Sequence, residues 1–302
     1  MKQAGAILIA GPTASGKSAA ALRLAQELGG AVVNADSMQV YRDLRIITAR
    51  PSPREEATAP HRLYGHVDAA RRYSVGQWLN DARAIAGELR EQGMLPIFTG
   101  GTGLYFRALE EGLADIPPVS GAARERVRAA AAEGPDALRR MAASLNLSAI
   151  PRDRQRLTRA LEVFLTTGRE LHAFHGSERP PLAEGAPIVR VFIAPERQKL
   201  RRRIEERFHA MLKEGAIEEV ERLLARGLPP GLPAMKAHGV RNIASALRGE
   251  TTMDEAAAGA ITETRQYAKR QMTWARKFMS GWLWVDDWAE AAQRAASLAP
   301  PR

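Results

Sequence analysis

The stretch Gly11-Pro12-Thr13-Ala14-Ser15-Gly16-Lys17-Ser18 has the spacing G-x-x-x-x-G-K-[ST], and its residue types specify chemistry more directly than any other in the chain. Glycines let successive backbone N–H groups turn toward an anion. The start of a following helix adds positive potential, and the Lys17 ammonium adds a full charge. Such a loop holds a phosphate or diphosphate, and Ser18 is the expected hydroxyl ligand of a Mg²⁺ ion. The elements the loop needs are in place. The apolar run Ala6 to Ala10 reads as a buried strand, Ala19 to Leu28 reads as a helix, and Gly29 and Gly30 stop it.

A second chemical group follows a second strand. Ala31-Val32-Val33 leads into Asn34-Ala35-Asp36-Ser37, which places the Asp36 carboxylate at a strand's carboxyl end, where open parallel sheets bind ligands. A nucleotide-hydrolysing enzyme would carry another apolar strand ending in Asp to hold the metal. Here the later strands end in Thr99-Gly100-Gly101 and Ala194-Pro195 instead. Asp36 therefore reads as a general base on an acceptor amine or hydroxyl, with the cap of a local turn as the other reading. The loop Gly100-Gly101-Thr102-Gly103 follows the strand Leu95 to Thr99 and would face the same crevice. His172 and His175, three apart, lack the accompanying carboxylates or thiols of a metal site.

Composition narrows the class. The 302 residues are 45% hydrophobic and 26% charged, with no cysteine, which excludes disulfides, thiolate metal sites and Cys nucleophiles. No apolar run reaches the length of a membrane span, and Met1 and Lys2 lead almost directly into the first strand, so a cytoplasmic protein is expected. The formal net charge is +10, mostly from arginine, and suits a polyanionic partner, although an arginine-rich composition alone gives the same figure.

Residues 42–67 hold Pro51, Pro53 and Pro60 and read as loop with some short helix. Ser74 caps a helix running to Gln92, and a helical stretch spans Leu104 to Glu110. Between Ile116 and Pro187 the chain turns to Ala- and Arg-rich helix without convincing strand, and strand character returns at Ile188 to Ala194. A long helical stretch from Glu196 to Arg226, a helix from Met253 to Met279 and a short strand Trp282 to Val285 complete the pattern. The expected fold is α/β, a parallel sheet of the phosphate-loop type flanked by helices. The core domain comprises 1–115 and 188–302, and a small all-helical domain is inserted at 116–187. No exposed apolar stripe argues for a dimer, so a monomer is expected.

Six ordered blocks resemble those of the tRNA dimethylallyltransferase family: Gly11 to Ser18, Asn34 to Tyr41, Gly100 to Phe106, Arg156 to Val163, Arg203 to Phe208 and Thr264 to Gln271. The resemblance implies transfer of a dimethylallyl group from dimethylallyl diphosphate to N6 of the adenine 3′ to the tRNA anticodon. It implies Mg²⁺ as cofactor and the anticodon stem-loop as partner. On this basis Asp36, Thr102 and Arg207 are the catalytic candidates, and Gly11, Pro12, Thr13, Ala14, Ser15, Gly16, Lys17 and Ser18 hold the diphosphate. The tRNA contacts are Asp36, Ser37, Met38, Gln39 and Thr102 on the core. The insert supplies Arg124, Gln155, Arg156, Leu157, Thr158 and Arg159, and a later basic stretch supplies Lys236, Ala237, His238, Gly239, Val240 and Arg241. Where the family has Gly-Thr-Ala-Lys and Val-Gly-Tyr-Arg, this chain has Ile47-Thr48-Ala49-Arg50 and His238-Gly239-Val240-Arg241. These departures are expected at the rim, among RNA contacts. A small-molecule kinase, a free-adenylate prenyltransferase and a non-catalytic RNA-binding module are the alternatives.

Overall fold

The computed structural model describes residues 5–174, 178–179, 182 and 187–299; His175 lies outside them. Its elements are β1 (Ala6–Ala10), α1 (Lys17–Leu28), β2 (Gly30–Asn34), α2 (Pro53–Thr58), β3 (His61–Arg62), α3 (Val75–Glu91), β4 (Leu95–Gly100) and α4 (Gly103–Glu111). Next come β5 (Leu113–Ala114), α5 (Gly121–Ala132), α6 (Pro135–Ser144), α7 (Arg154–Thr167), β6 (Glu178–Arg179) and β7 (Ile188–Ile193). The chain continues through α8 (Arg197–Lys213), α9 (Ala216–Ala225), α10 (Val240–Leu247), α11 (Met253–Phe278), β8 (Leu283–Val285) and α12 (Trp288–Leu298).

The chain divides into two compact units, Met1–Glu110 with Pro181–Arg302, and Glu111–Pro180. The first is a six-stranded sheet in the order β3-β2-β4-β1-β7-β8, and every neighbouring pair is parallel. Its central strands β1, β2 and β4 are buried on both faces, which is why they read as continuous apolar runs. Ile7, Ile9 and Ile97 meet Ala20, Ala21 and Leu24 of α1 and Ala291, Ala292 and Ala295 of α12 on one face. On the other, Phe98 packs edge-on to Trp78 of α3, which stacks on Tyr105 of α4 at 4.0 Å between ring centroids.

The second unit packs α5, α6 and α7 around Val127, Leu138, Leu157 and Leu161. It also contains a strand pair the sequence pattern did not disclose, β5 with β6, antiparallel through Leu113–Arg179 and Ala114–Glu178. Two residues per strand are too few to leave a periodic pattern.

The stretch expected to be one helix from Glu196 to Arg226 is broken at Gly215, whose φ of 104° is closed to a helix of L-residues; the chain turns there and restarts as α9. Neither α10, α12 nor the two-residue β3 was anticipated.

All three ligand-facing loops leave carboxyl ends of adjacent strands, β1, β4 and β2, and glycine sets their spacing. A Cβ on Gly100 would meet the Ala35 carbonyl carbon and oxygen at 2.1 Å, whereas one on Gly87, inside α3, would meet nothing within 4 Å. Gly100→Ala must push β4 from β2 and should cost about 3 kcal/mol or more of stability, while Gly87→Ala should gain about 0.5–1 kcal/mol from helix propensity. Urea midpoints with opposite signs are expected; a parent-like midpoint for Gly100→Ala contradicts the close approach.

Candidate active site

The loop after β1 is a strained anion cradle. Ala14 stands at φ 62° and Gly16 at φ 96°, both left-handed, and Gly16 begins α1 with no side-chain cap on the helix N–H groups. Lys17 reaches back to the Pro12 carbonyl at 3.3 Å, and Arg207 of α8 donates to Thr13 Oγ1. Burial pulls the Lys17 ammonium down to about 8, with Arg207 pushing the same way and Asp36 opposing. Burial also lowers Arg207 to about 10, again opposed by Asp36, which leaves it charged at neutral pH.

Asp36 is held by a buried asparagine. Asn34 accepts the Asp36 N–H at 2.9 Å and donates to the Asp36 and Leu63 carbonyls at 3.0 Å each, while its own carbonyl takes the Trp78 indole N–H at 2.9 Å. One carboxylate oxygen, Oδ1, accepts the Met38 N–H at 2.9 Å. Asp36 does cap a turn, then, but with one oxygen of two.

The second glycine loop clasps this one. Thr102 Oγ1 accepts the Ser37 N–H at 2.9 Å, and the Thr102 N–H donates to the Ala35 carbonyl at 3.3 Å. The Tyr267 hydroxyl hydrogen-bonds Thr102 and Gln271, and burial with the nearby Asp36 charge pushes it up, so it stays protonated.

Two adjoining cavities share Thr13, Asp36, Thr48, Arg207 and Met211. The larger, about 690 Å³, is lined by Thr13, Ala14, Gly16, Lys17 and Ser18 with Arg45, Arg203 and Arg207, and Glu55, Glu214 and Trp288 also border it. The smaller, about 220 Å³, has an apolar wall of Ile47, Ile204, Phe208 and Met211 and a polar one of Lys236, His238, Thr264 and Tyr267. The wall between β2 and α2 is pinned from α9, where buried Glu219 accepts the N–H groups of Arg45, Ile46 and Ile47 at 2.8–2.9 Å.

Several residues expected to touch ligand have their side chains buried or engaged by other parts of the chain. Gly11, Pro12 and Ser15 are buried beneath the loop and shape it without lining the cleft. Gln39 lines the cleft, but its amide is spent on the Thr48 and Ala49 carbonyls at 2.8 Å. Leu157 is 3% exposed and belongs to the helical core of its own unit. Gly239 and Val240 are buried and line neither cavity, whereas Lys236, Ala237 and the half-buried His238 line the smaller cavity and Arg241 is exposed. Of the departures, Ile47 and Val240 are buried, while Arg50 and His238 border the cavities. Ile47 is 7% exposed and covers Gly239, and the Arg50 guanidinium lies across Gly65 and bonds the Tyr41 and Arg42 carbonyls.

In the helical unit Arg124, Gln155, Arg156 and Arg159 are exposed and Thr158 is half-buried. Partial enclosure and the Arg124 charge hold Arg159 below its usual value, against Glu162.

Sequence reasoning gave no role to Gln271, Tyr267, Glu219, Arg203 or Trp288. Gln271, Tyr267 and Arg203 lie in blocks that carried the resemblance, which was the one available signal.

The family model described as IPP transferase matches residues 39–278, and one described as isopentenyl transferase matches residues 4–72. The chain is 55% identical over 285 residues to the tRNA dimethylallyltransferase of Bradyrhizobium sp. (strain BTAi1), covering 93% of each. With that of Methylobacterium radiotolerans it shares 53% over 287 residues, covering 93% of this chain and 92% of the other. Among solved structures it is similar to a tRNA isopentenylpyrophosphate transferase from Bacillus halodurans, at TM-score 0.68 and 30% identity over 96% of this chain and 94% of that one. A glycine cradle beside the turn-held Asp36, in a chain matching these relatives along nearly its whole length, places the protein in the tRNA dimethylallyltransferase family.

Proposed function

We propose that the chain transfers a dimethylallyl group from dimethylallyl diphosphate to the exocyclic N6 of the adenine 3′ to the tRNA anticodon, position 37, and releases diphosphate. The observation that carries this reading is Asp36 on the wall shared by the two cavities, close enough to Lys17 and Arg207 to act on both charges. One carboxylate is thereby within reach of a diphosphate donor and of an acceptor. Mass spectrometry of tRNA after incubation with the protein, Mg²⁺ and dimethylallyl diphosphate tests it directly; unmodified tRNA would refute it.

The diphosphate sits on the loop N–H groups, Lys17 and Arg207. As the N6 lone pair forms its bond to the allylic carbon, the carbon–oxygen bond breaks and its electrons leave on the diphosphate, where these cations stabilise them. Asp36, through the oxygen not bound by Met38, takes the N6 proton. Thr102 holds the Ser37 backbone and so the loop carrying Asp36. The adenine reaches this chemistry only when flipped from its stack.

Ser18 is exposed on the cleft lining beside Lys17, and its hydroxyl suits Mg²⁺, which takes few protein ligands and keeps substrate phosphates and waters. Among the described residues no cluster of three His, Asp or Glu side chains suits a metal. When bound it neutralises charge on the leaving group.

Arg124, Arg156 and Arg159, with Gln155 and Thr158, grip backbone phosphates of the stem-loop, as do Lys236 and Arg241. We propose that unit Glu111–Pro180 is a tRNA-binding insert in the catalytic core, and that the protein works as a cytoplasmic monomer. Among the described residues no helix is long and apolar enough to cross a membrane.

Asp36→Asn keeps the hydrogen bond to Met38 but cannot take a proton. Single-turnover transfer should fall about 10²- to 10⁴-fold with substrate binding preserved, and a parent-like rate would make Asp36 a turn cap alone.

Lys17 predicts the pH dependence of donor binding. Its charged form binds diphosphate and is present below about pH 8 in the free protein, so the Kd for dimethylallyl diphosphate should climb above that value. Calorimetry from pH 6.5 to 9.5 checks this, and Lys17→Ala should flatten the rise.

Replacing Arg156 and Arg159 by Ala should weaken stem-loop binding and reduce the slope of log K against log salt by about one unit for each lost phosphate contact. Filter binding across a salt series reads both, and an unchanged slope would place these arginines away from the RNA.

A further inference from the structure

We infer that Gln271 is a positioning residue that locks the donor loop and the acceptor loop at their working separation. It stands on α11, 9% exposed, with its amide between the two glycine loops. Its Oε1 accepts the Thr13 N–H at 3.0 Å, and its Nε2 donates to the Gly101 carbonyl at 2.8 Å. The fit at Gly101 is tight, since a Cβ there would meet Nε2 at 2.2 Å.

Each end of this bridge continues into the site. Thr13 takes Arg207 on its hydroxyl, so the donor side is fixed by an amide and a guanidinium at one residue. Gly101 precedes Thr102, whose hydroxyl accepts the Ser37 N–H next to Asp36. A continuous path of bonds thus runs from the diphosphate cradle through Gln271 to the loop that carries the base.

The bridge requires one acceptor and one donor on the same planar end group, which a neutral carboxamide supplies. An ionised carboxylate would keep the Thr13 bond but face the Gly101 carbonyl with a second acceptor. A thioether would make neither bond. The inference rests on the prenyl-transfer reading, because the separation matters only if two substrates react across it. Misplacement by about 1 Å can cost about 10²-fold in rate without loss of binding.

The test uses the full-length protein with Mg²⁺, dimethylallyl diphosphate and an anticodon stem-loop. Gln271→Met should lower the single-turnover rate about 10²-fold while KM for each substrate stays within about threefold of the parent. In an Asp36→Asn background the same substitution should cost much less, because alignment to an absent base has nothing left to contribute. Should Gln271→Met unfold at assay temperature, Gln271→Glu, which keeps the bond to Thr13, carries the same two measurements. A parent-like rate, or equal losses in both backgrounds, overturns the inference while leaving the prenyl-transfer reading intact. A parent protein that transfers no prenyl group overturns both.

Discussion

The site depends on how closely β2 and β4 approach at their carboxyl ends. Gly100 lies against the Ala35 carbonyl where no side chain fits, so the loop after β4 drops onto the loop after β2 and the Thr102 hydroxyl reaches the Ser37 N–H. Asp36 acquires a fixed direction from this clasp and from the buried Asn34 behind it. A wider spacing would leave the carboxylate on a free loop, where ordering it against solvent would cost conformational entropy at every encounter.

The electrostatics follow from the same crowding. Lys17 and Arg207 are both partly stripped of water, and each is held down by burial more than by any neighbour. Asp36 opposes both shifts, so in the free protein it is the counter-charge of the cradle. A bound diphosphate would supply that countercharge instead. Three phenols near Asp36, those of Tyr64, Tyr105 and Tyr267, are pushed up by burial first and by Asp36 second, which keeps them as hydrogen-bond donors and out of competition for the proton.

Local physics made much of this legible in the sequence. The phosphate loop, its strand and its helix follow from glycine spacing and apolar runs, and Ser74 was readable as a cap because its box with Gln77 lies within four residues. Asp36 was readable from its place at a strand end. What escaped was set by distance along the chain: Gln271 meets its two partners 258 and 170 residues away, and Glu219 meets its own more than 170 away. Nothing in either neighbourhood marks such a contact. Ile47 and Val240 were misplaced at the rim because a motif comparison carries no information on which way a side chain points.

The phosphate loop also has an order of completion. Its own residues precede in the chain those that complete it: Thr13 is held by Arg207 and Gln271, and Trp288 lies so close to Gly16 that a Cβ there would meet it at 3.0 Å. A nascent chain therefore exposes a glycine-rich anion-binding sequence long before it can present that sequence in a rigid form. The phosphate loop therefore reaches its final form only once residues far along the chain are in place, so an incomplete chain has no formed cradle.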